Sequence, residues 1–282
     1  MSTHPLRVFK TKRKSLELGN QTHVVGILNL TPDSFSDGGE YLDQASAVDF
    51  FHKMVEAGAS IIDIGGESTR PNHLPVSIEE EMSRVIPFVE KIRSQTNCLI
   101  SIDTSKSEVA KASLEAGADI INDIWGAQRD PRMADVIAEY EAGCILMHNR
   151  ESPLSNGENL MNEILVFLKK SIQTVLERGV NPQGICIDPG LGFGKNYNDN
   201  WEIMRNLERL HDLEVPVLLG ASRKSMLAQL LTIKEPKDRL SGTLATTALA
   251  AMSRIDFVRV HDVKENIECA KVIDYCTNYE KN

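Results

Sequence analysis

The five cysteines, Cys98, Cys144, Cys186, Cys269 and Cys276, contain no C-x-x-C pair, and their number is odd. That argues against a disulfide framework and points to a reducing cytoplasm. Three of them lie in or beside apolar runs, where a free thiol behaves as a small hydrophobe. The seven histidines form neither H-x-H nor H-E-x-x-H, so no zinc or iron constellation is present. No apolar run approaches the roughly 20 residues that span a bilayer, and the charged N-terminus lacks the apolar core of a signal peptide. An excess of positive charge is also missing, since 31 basic against 40 acidic residues give a net charge of −9. Nucleic acid and anionic membranes are therefore poor partners, although a local anion pocket is not excluded. The basic cluster Lys10, Lys12, Arg13 and Lys14 reads as the solvated face of a short hairpin.

What the chain does have is internal repetition. Residues 56–62 read EAGASII, residues 115–121 read EAGADII, and a weaker copy, EAGCIL, begins at Glu141. Each reads as a helix ending at glycine, followed at once by a buried strand. Eight apolar runs of strand length follow one another: 24–29, 60–65, 98–103, 119–122, 144–148, 184–188, 216–220 and 256–261. Their hydrophobicity is continuous rather than alternating, as in parallel strands buried on both faces. Amphipathic stretches such as QASAVDFFHKMVEAG separate them. Eight βα units describe a single α/β domain, a (β/α)8 TIM barrel over residues 23–282, with residues 1–22 as a β-hairpin closing its bottom. A doubly wound open sheet is the competing fold, but it does not call for eight units and no dinucleotide fingerprint follows the first strand.

In such a barrel the C-terminal strand ends build the active site. Those ends carry Asn29, Asp63 with Glu67, Asp103, Asn122, His148, Asp188, Ser222 with Lys224, and Arg259 with His261. Any one of these could be a helix cap, as Asp103 in SIDTSKSEV could, but a polar group at every strand end implies a ligand. Asp103, Asn122 and Asp188 suit the edge of a flat nitrogen-rich heterocycle, because a carboxylate accepts two parallel hydrogen bonds from an aminopyrimidine. Asn29, Thr69, Arg70, Arg259 and His261 suit a phosphate-bearing group. The two sets come from different sides of the ring, so one elongated ligand with a heteroaromatic and an anionic end is expected. His148 reads as a hydrogen-bonded strand-end histidine, with a catalytic base as the alternative.

With those residues in view, the sequence resembles the dihydropteroate synthase family. The matching segments are GILNLTPDSFSDGG (26–39), DIGGESTRP (63–71), SIDTSK (101–106), INDI (121–124), DPGLGFGK (188–195), GASRKS (220–225) and RVHDV (259–263). The resemblance implies condensation of 6-hydroxymethyl-7,8-dihydropterin pyrophosphate with p-aminobenzoate, giving 7,8-dihydropteroate and pyrophosphate in folate biosynthesis. It implies a pterin pocket of Asp103, Asn122, Ile124, Met147, Asp188, Phe193, Gly220, Lys224 and Arg259. Asn29, Arg70, Arg259 and His261 resemble the pyrophosphate site, with Asn29 also near Mg2+. Phe35, Thr69, Pro71 and Ser222 resemble the surroundings of p-aminobenzoate. Segments 30–40 and 66–76 resemble the loops that close over the substrates. Catalysis is then expected from Asp33, Asp103, Lys224, Arg259 and His261, with Asp33 either stabilising a cation or taking up the amine's proton. A homodimer that sulfonamides target is also implied.

Two other readings compete. A methyltetrahydrofolate-dependent methyltransferase has a similar barrel and pterin pocket, but needs no pyrophosphate site. A non-catalytic pterin-binding protein would not need the anion residues. The loop DPGLGFGK mimics a phosphate cradle, yet Pro189 and Asn196 stand where a Walker A loop needs Gly and Ser or Thr. Asp188 is therefore expected to hold the heterocycle, with the glycines letting the backbone pass a flat ring and Lys195 peripheral.

Overall fold

The computed structural model describes residues 7–31, 44–67, 76–151 and 159–278. The chain opens with an antiparallel pair, β1 (Arg7–Lys10) and β2 (Ser15–Leu18). Eight parallel strands follow: β3 (His23–Asn29), β4 (Ile61–Gly65), β5 (Leu99–Asp103), β6 (Ile120–Asp123), β7 (Gly143–Met147), β8 (Ile185–Asp188), β9 (Leu218–Leu219) and β10 (Phe257–Val260). Their order is β8-β7-β6-β5-β4-β3-β10-β9. A single bridge, Ile187 to Val217, brings the two ends of the sheet together. The expected α/β barrel with its N-terminal hairpin is the fold observed.

Two buried clusters divide the faces of the sheet. One contains Val25, Ile61, Leu99, Ile120, Ile145, Cys186, Leu218 and Phe257, one residue from each barrel strand, together with Phe9, Leu16 and Leu18 of the hairpin. The hairpin thus packs on the lowest layer of the barrel interior. The intervening residues, Val24, Ile62, Ile100, Ile121, Cys144, Ile185, Val217 and Val258 among them, join the helices in the larger core. Burial on both faces explains the unbroken apolar runs.

Helices follow the strands in turn: α1 (Gln44–Ala57), α2 (Ile78–Arg93), α3 (Ser107–Glu115), α4 (Met133–Glu139), α5 (Leu160–Glu177), α6 (Tyr197–Arg205), a short α7 (Ser225–Leu231), α8 (Leu240–Met252) and α9 (Val263–Asn278). Helix α2 starts where the sequence signals it, because the Ser77 side chain accepts from the Glu80 N–H and acidic residues fill the first turn.

The repeat needs one correction. Gly58 and Gly117 do occupy the left-handed position after α1 and α3. In the third copy Glu141 takes that conformation, closed by a bond from the Ala142 N–H to the Ile137 carbonyl of 3.0 Å. Gly143 instead opens β7, where a Cβ would press on Phe9. The 216–220 run is also shorter as a strand than expected. Pro216 has no N–H, and the Val217 N–H goes to Asp256 Oδ2 at 2.9 Å rather than to a ladder partner. The basic cluster is not wholly solvated either. Arg13 pairs with the buried Asp119 at 2.9 Å, where Arg93 joins it at 2.8 Å.

Candidate active site

The residues at the C-terminal strand ends converge. Arg259, from β10, reaches across the barrel mouth and donates from Nε to Asp63 Oδ2 at 2.6 Å and from Nη2 to Asp103 Oδ2 at 2.9 Å. Asn122 donates to the same Asp63 oxygen at 2.9 Å. Asp188, at the end of β8, accepts from the Gly190 N–H at 2.7 Å, while its Oδ2 faces Gly220. Lys224, just before α7, donates to the Leu191 carbonyl and sits 4.7 Å from the centre of the Phe193 ring. Met147 lies beside Asp188 in the strand register, and Ile124 follows directly on β6. The structure therefore brings Asp103, Asn122, Asp188, Lys224, Phe193, Gly220, Met147 and Arg259 around one mouth.

This mouth carries unbalanced charge. Three buried carboxylates, Asp63, Asp103 and Asp188, face the two cations Arg259 and Lys224. Burial, reinforced by Asp63 and Glu81 and opposed by Arg259, pushes Asp103 up to about 7. Burial also raises Asp188, against the pull of Lys224. Lys224 is brought down to about 8 by burial, although Asp188 favours its charge. Burial works against the charge of Arg259, but Asp63 and Asp103 hold it above its ordinary value. A buried site with excess negative charge is suited to a ligand that is, or becomes, cationic.

Substitution of Asp103 should expose that imbalance. The fold raises this carboxyl's pKa, so the folded chain binds its proton more tightly than the unfolded chain. Ionising Asp103 thus costs stability as pH rises from the ordinary carboxylate range to about 7. Asp103→Asn keeps an acceptor for Arg259 and is expected to stabilise the fold by about 1–2 kcal/mol at pH 8 while abolishing turnover. The gain should vanish near pH 4, close to an unperturbed Asp pKa of roughly 3.9. Urea unfolding at both pH values checks this; equal stability of the two proteins at pH 8 would contradict it.

The anion side is tied to the same mouth. Ser222 Oγ lies 2.9 Å from His261 Nδ1 and accepts from the His261 N–H at 3.2 Å. Asn29 ends β3 beside Gly65, with its Oδ1 3.1 Å from where a Gly65 Cβ would stand. Arg259 is the residue expected in both the heterocycle pocket and the anion site. Its guanidinium is engaged with carboxylates of β4 and β5, so it belongs to both. Asp33, Phe35, Thr69, Arg70 and Pro71, and most of segments 30–40 and 66–76, lie outside the described residues.

Three features were not foreseen. Asp63 is the hub that Arg259 and Asn122 share, and its Oδ1 is buried with no hydrogen-bond partner among the described residues. Lys106 binds Glu67 and, at 2.5 Å, the buried Glu81. Lys195 is not peripheral: its Nζ lies 2.8 Å from His148 Nδ1 and 3.0 Å from the Phe193 carbonyl. Two glycines of DPGLGFGK have a packing role as well. A Cβ at Gly190 would overlap the His148 carbonyl, and one at Gly194 the Arg150 carbonyl. Both residues have positive φ, so they let this loop lie against the chain that follows β7.

A parallel barrel with a buried carboxylate-rich mouth is the frame of a pterin-binding enzyme, and the family model described as pterin binding enzyme matches residues 25–261. The dihydropteroate synthase of Clostridium beijerinckii is 48% identical over 94% of this chain and 98% of its own length. Among solved structures, the Clostridium difficile dihydropteroate synthase, determined with pteroic acid, superposes with a TM-score of 0.89 at 45% identity, covering 94% of this chain and all of the other. The Xanthomonas albilineans enzyme with 4-aminobenzoic acid gives a TM-score of 0.92 at 36% identity, covering 98% and 100%. This chain belongs to the dihydropteroate synthase family.

Proposed function

We propose that the mouth binds 6-hydroxymethyl-7,8-dihydropterin pyrophosphate and p-aminobenzoate and joins them, releasing pyrophosphate and 7,8-dihydropteroate in folate biosynthesis. The observation that carries this reading is the buried set of Asp63, Asp103 and Asp188 against, among the described residues, Arg259 and Lys224. Asp103, Asn122 and Asp188 grip the donor edge of the pterin, with Ile124, Met147, Phe193, Gly220 and Lys224 around the ring. Asn29, Arg70, Arg259 and His261 receive the pyrophosphate. Phe35, Thr69, Pro71 and Ser222 surround p-aminobenzoate.

The excess negative charge favours a dissociative path. The bond between the pterin methylene carbon and the pyrophosphate oxygen breaks first, its electron pair leaving with pyrophosphate. The electron-rich dihydropterin carries the resulting positive charge beside Asp103 and Asp188. The neutral amine of p-aminobenzoate then donates its lone pair to the methylene, and the nitrogen loses a proton to Asp33 or to solvent. No strong base is needed for the amine, so catalysis falls mainly on groups already placed for the developing charges.

Mg2+ fits the donor set of this chain. Among the described residues no cluster of three or more His, Cys, Asp or Glu could hold a metal, and the Asn29 amide oxygen stands at the mouth beside a residue without a side chain. A hard cation held by one amide oxygen, water and substrate oxygens matches magnesium chemistry. When bound, the ion supplies positive charge for the leaving group. Pyrophosphate release should require both substrates and stop on chelation of divalent cations. Release without p-aminobenzoate, or full activity in chelator, would refute the respective part.

The assembly is a homodimer in this reading. Leu230 and Leu231 of α7, Leu249 and Met252 of α8, and Val272 and Tyr275 of α9 are exposed on neighbouring helices, an apolar surface suited to a second copy. The cytoplasm is its compartment, where the buried thiols Cys98, Cys144 and Cys186 remain reduced. No helix among the described residues is long and apolar enough to cross a membrane.

A further inference from the structure

We propose that Lys195, His148 and Glu163 form a positioning relay that fixes the loop from Asp188 to Lys195 onto α5 and thereby sets affinity for the pterin substrate. The proposal rests on the pterin reading of the site. Lys195 Nζ lies 2.8 Å from His148 Nδ1, and His148 Nε2 lies 2.8 Å from Glu163 Oε1. A carboxylate only accepts, so the ring hydrogen sits on Nε2 and is donated to Glu163, which leaves Nδ1 of the neutral ring to accept from Lys195. The imidazole is fully buried, edge-on to Phe167 at 4.8 Å, and burial lowers its pKa, which keeps it neutral. A neutral ring thus links an ammonium and a carboxylate on separate elements.

The same three residues surround the main chain that carries the pterin groups. The His148 N–H donates to the Asp188 carbonyl at 2.9 Å. The His148 carbonyl accepts from Lys195 at 3.4 Å and is the surface on which Gly190 turns. Lys195 also holds the Phe193 carbonyl at 3.0 Å, and the Phe193 ring faces Lys224. Around the relay, burial brings Lys195 down to about 7, Arg150 and Lys224 push the same way, and Asp188 and Glu163 favour its charge. Arg150 is itself held by Asp199 at 3.0 Å and by the Gly194 carbonyl at 2.7 Å. Loosening any link frees the wall of the pocket that carries Asp188 and Phe193, and leaves Ser222 and His261 in place.

A merely structural role would lower stability without distinguishing the substrates. Calorimetric binding of 6-hydroxymethylpterin and KM for both substrates should therefore be measured in Lys195→Met, Glu163→Ala and His148→Gln. The first two are expected to weaken pterin binding about ten-fold, the worth of one charge-assisted hydrogen bond, with KM for p-aminobenzoate changed less than about two-fold. Glutamine can accept from Lys195 and donate to Glu163, so His148→Gln should stay within about three-fold of wild type. If Lys195→Met fails to fold, Glu163→Ala, on the partly exposed first turn of α5, carries the test alone. Unchanged pterin binding, whatever happens to the melting temperature, overturns the relay. An equal rise in KM for both substrates overturns it as well. A wild-type protein that binds no pterin refutes the functional reading instead.

Discussion

Replacement of Arg259 by methionine is expected to cost about 3–5 kcal/mol of stability, the usual penalty for stranding a buried charge, and to abolish turnover. Among the described residues the guanidinium alone donates to Asp103, and it shares Asp63 with Asn122. Without it two buried carboxylates face each other, and among the described residues Lys224 is left as the remaining cation of the mouth. Arg259→Lys should separate charge from shape. An ammonium cannot reach two carboxylates as a planar fork does, so this variant should recover part of the stability and little of the activity. Urea denaturation with a pyrophosphate-release assay reads both effects. A methionine variant within about 1 kcal/mol of wild type would show that the acids share protons instead of depending on Arg259.

Asp188→Asn is the second large effect, and it should fall on binding rather than folding. One oxygen of Asp188 accepts from the Gly190 N–H, and the other lies 3.6 Å from where a Gly220 Cβ would stand. Asparagine can keep the first contact through its carbonyl. Its amide NH2 would then stand where the pterin requires an acceptor, leaving two donors opposed. Losing a charged acceptor and gaining a misplaced donor should weaken pterin binding about 100-fold, with the urea midpoint nearly unchanged. Pterin calorimetry checks this, and affinity close to wild type would remove Asp188 from its assigned role. The pH dependence should agree. Asp103 gains its proton below about 7 and Lys224 loses its own above about 8, so pterin affinity should be greatest between those values.

Much of this arrangement could be read from the sequence because barrel strands are short, apolar and polar at one end. Asp103, Asn122, Asp188 and Arg259 all stand at the predicted strand ends, and periodicity alone places them near one another. What they bind within the protein could not be read. Arg259 meets Asp63 and Asp103 across 196 and 156 residues of chain, and no local pattern marks those partners. Asp63 stood among the polar strand ends, but its place as the shared partner of Arg259 and Asn122 could not be read, because nothing along its strand points to either. Lys195 misled for the opposite reason. Loop lysines are ordinarily solvated, and only the left-handed turns at Gly190 and Gly194 fold this one back onto His148. The third EAG copy shows the same limit, since a glycine two steps late in register changes from helix terminator to spacer for Phe9.

The seam of the barrel links its two ends mechanically. β8 and β9 meet at one bridge, and the Val217 N–H on that line is held by Asp256, which Arg7 of the hairpin grips at 2.7 Å. On the rim side of the same line stand Asp188 and Gly220, with Asp188 Oδ2 3.6 Å from where a Gly220 Cβ would stand. The hairpin thus fastens, through Asp256, to the line on which the strand order closes into a ring, at the end of the barrel away from the mouth.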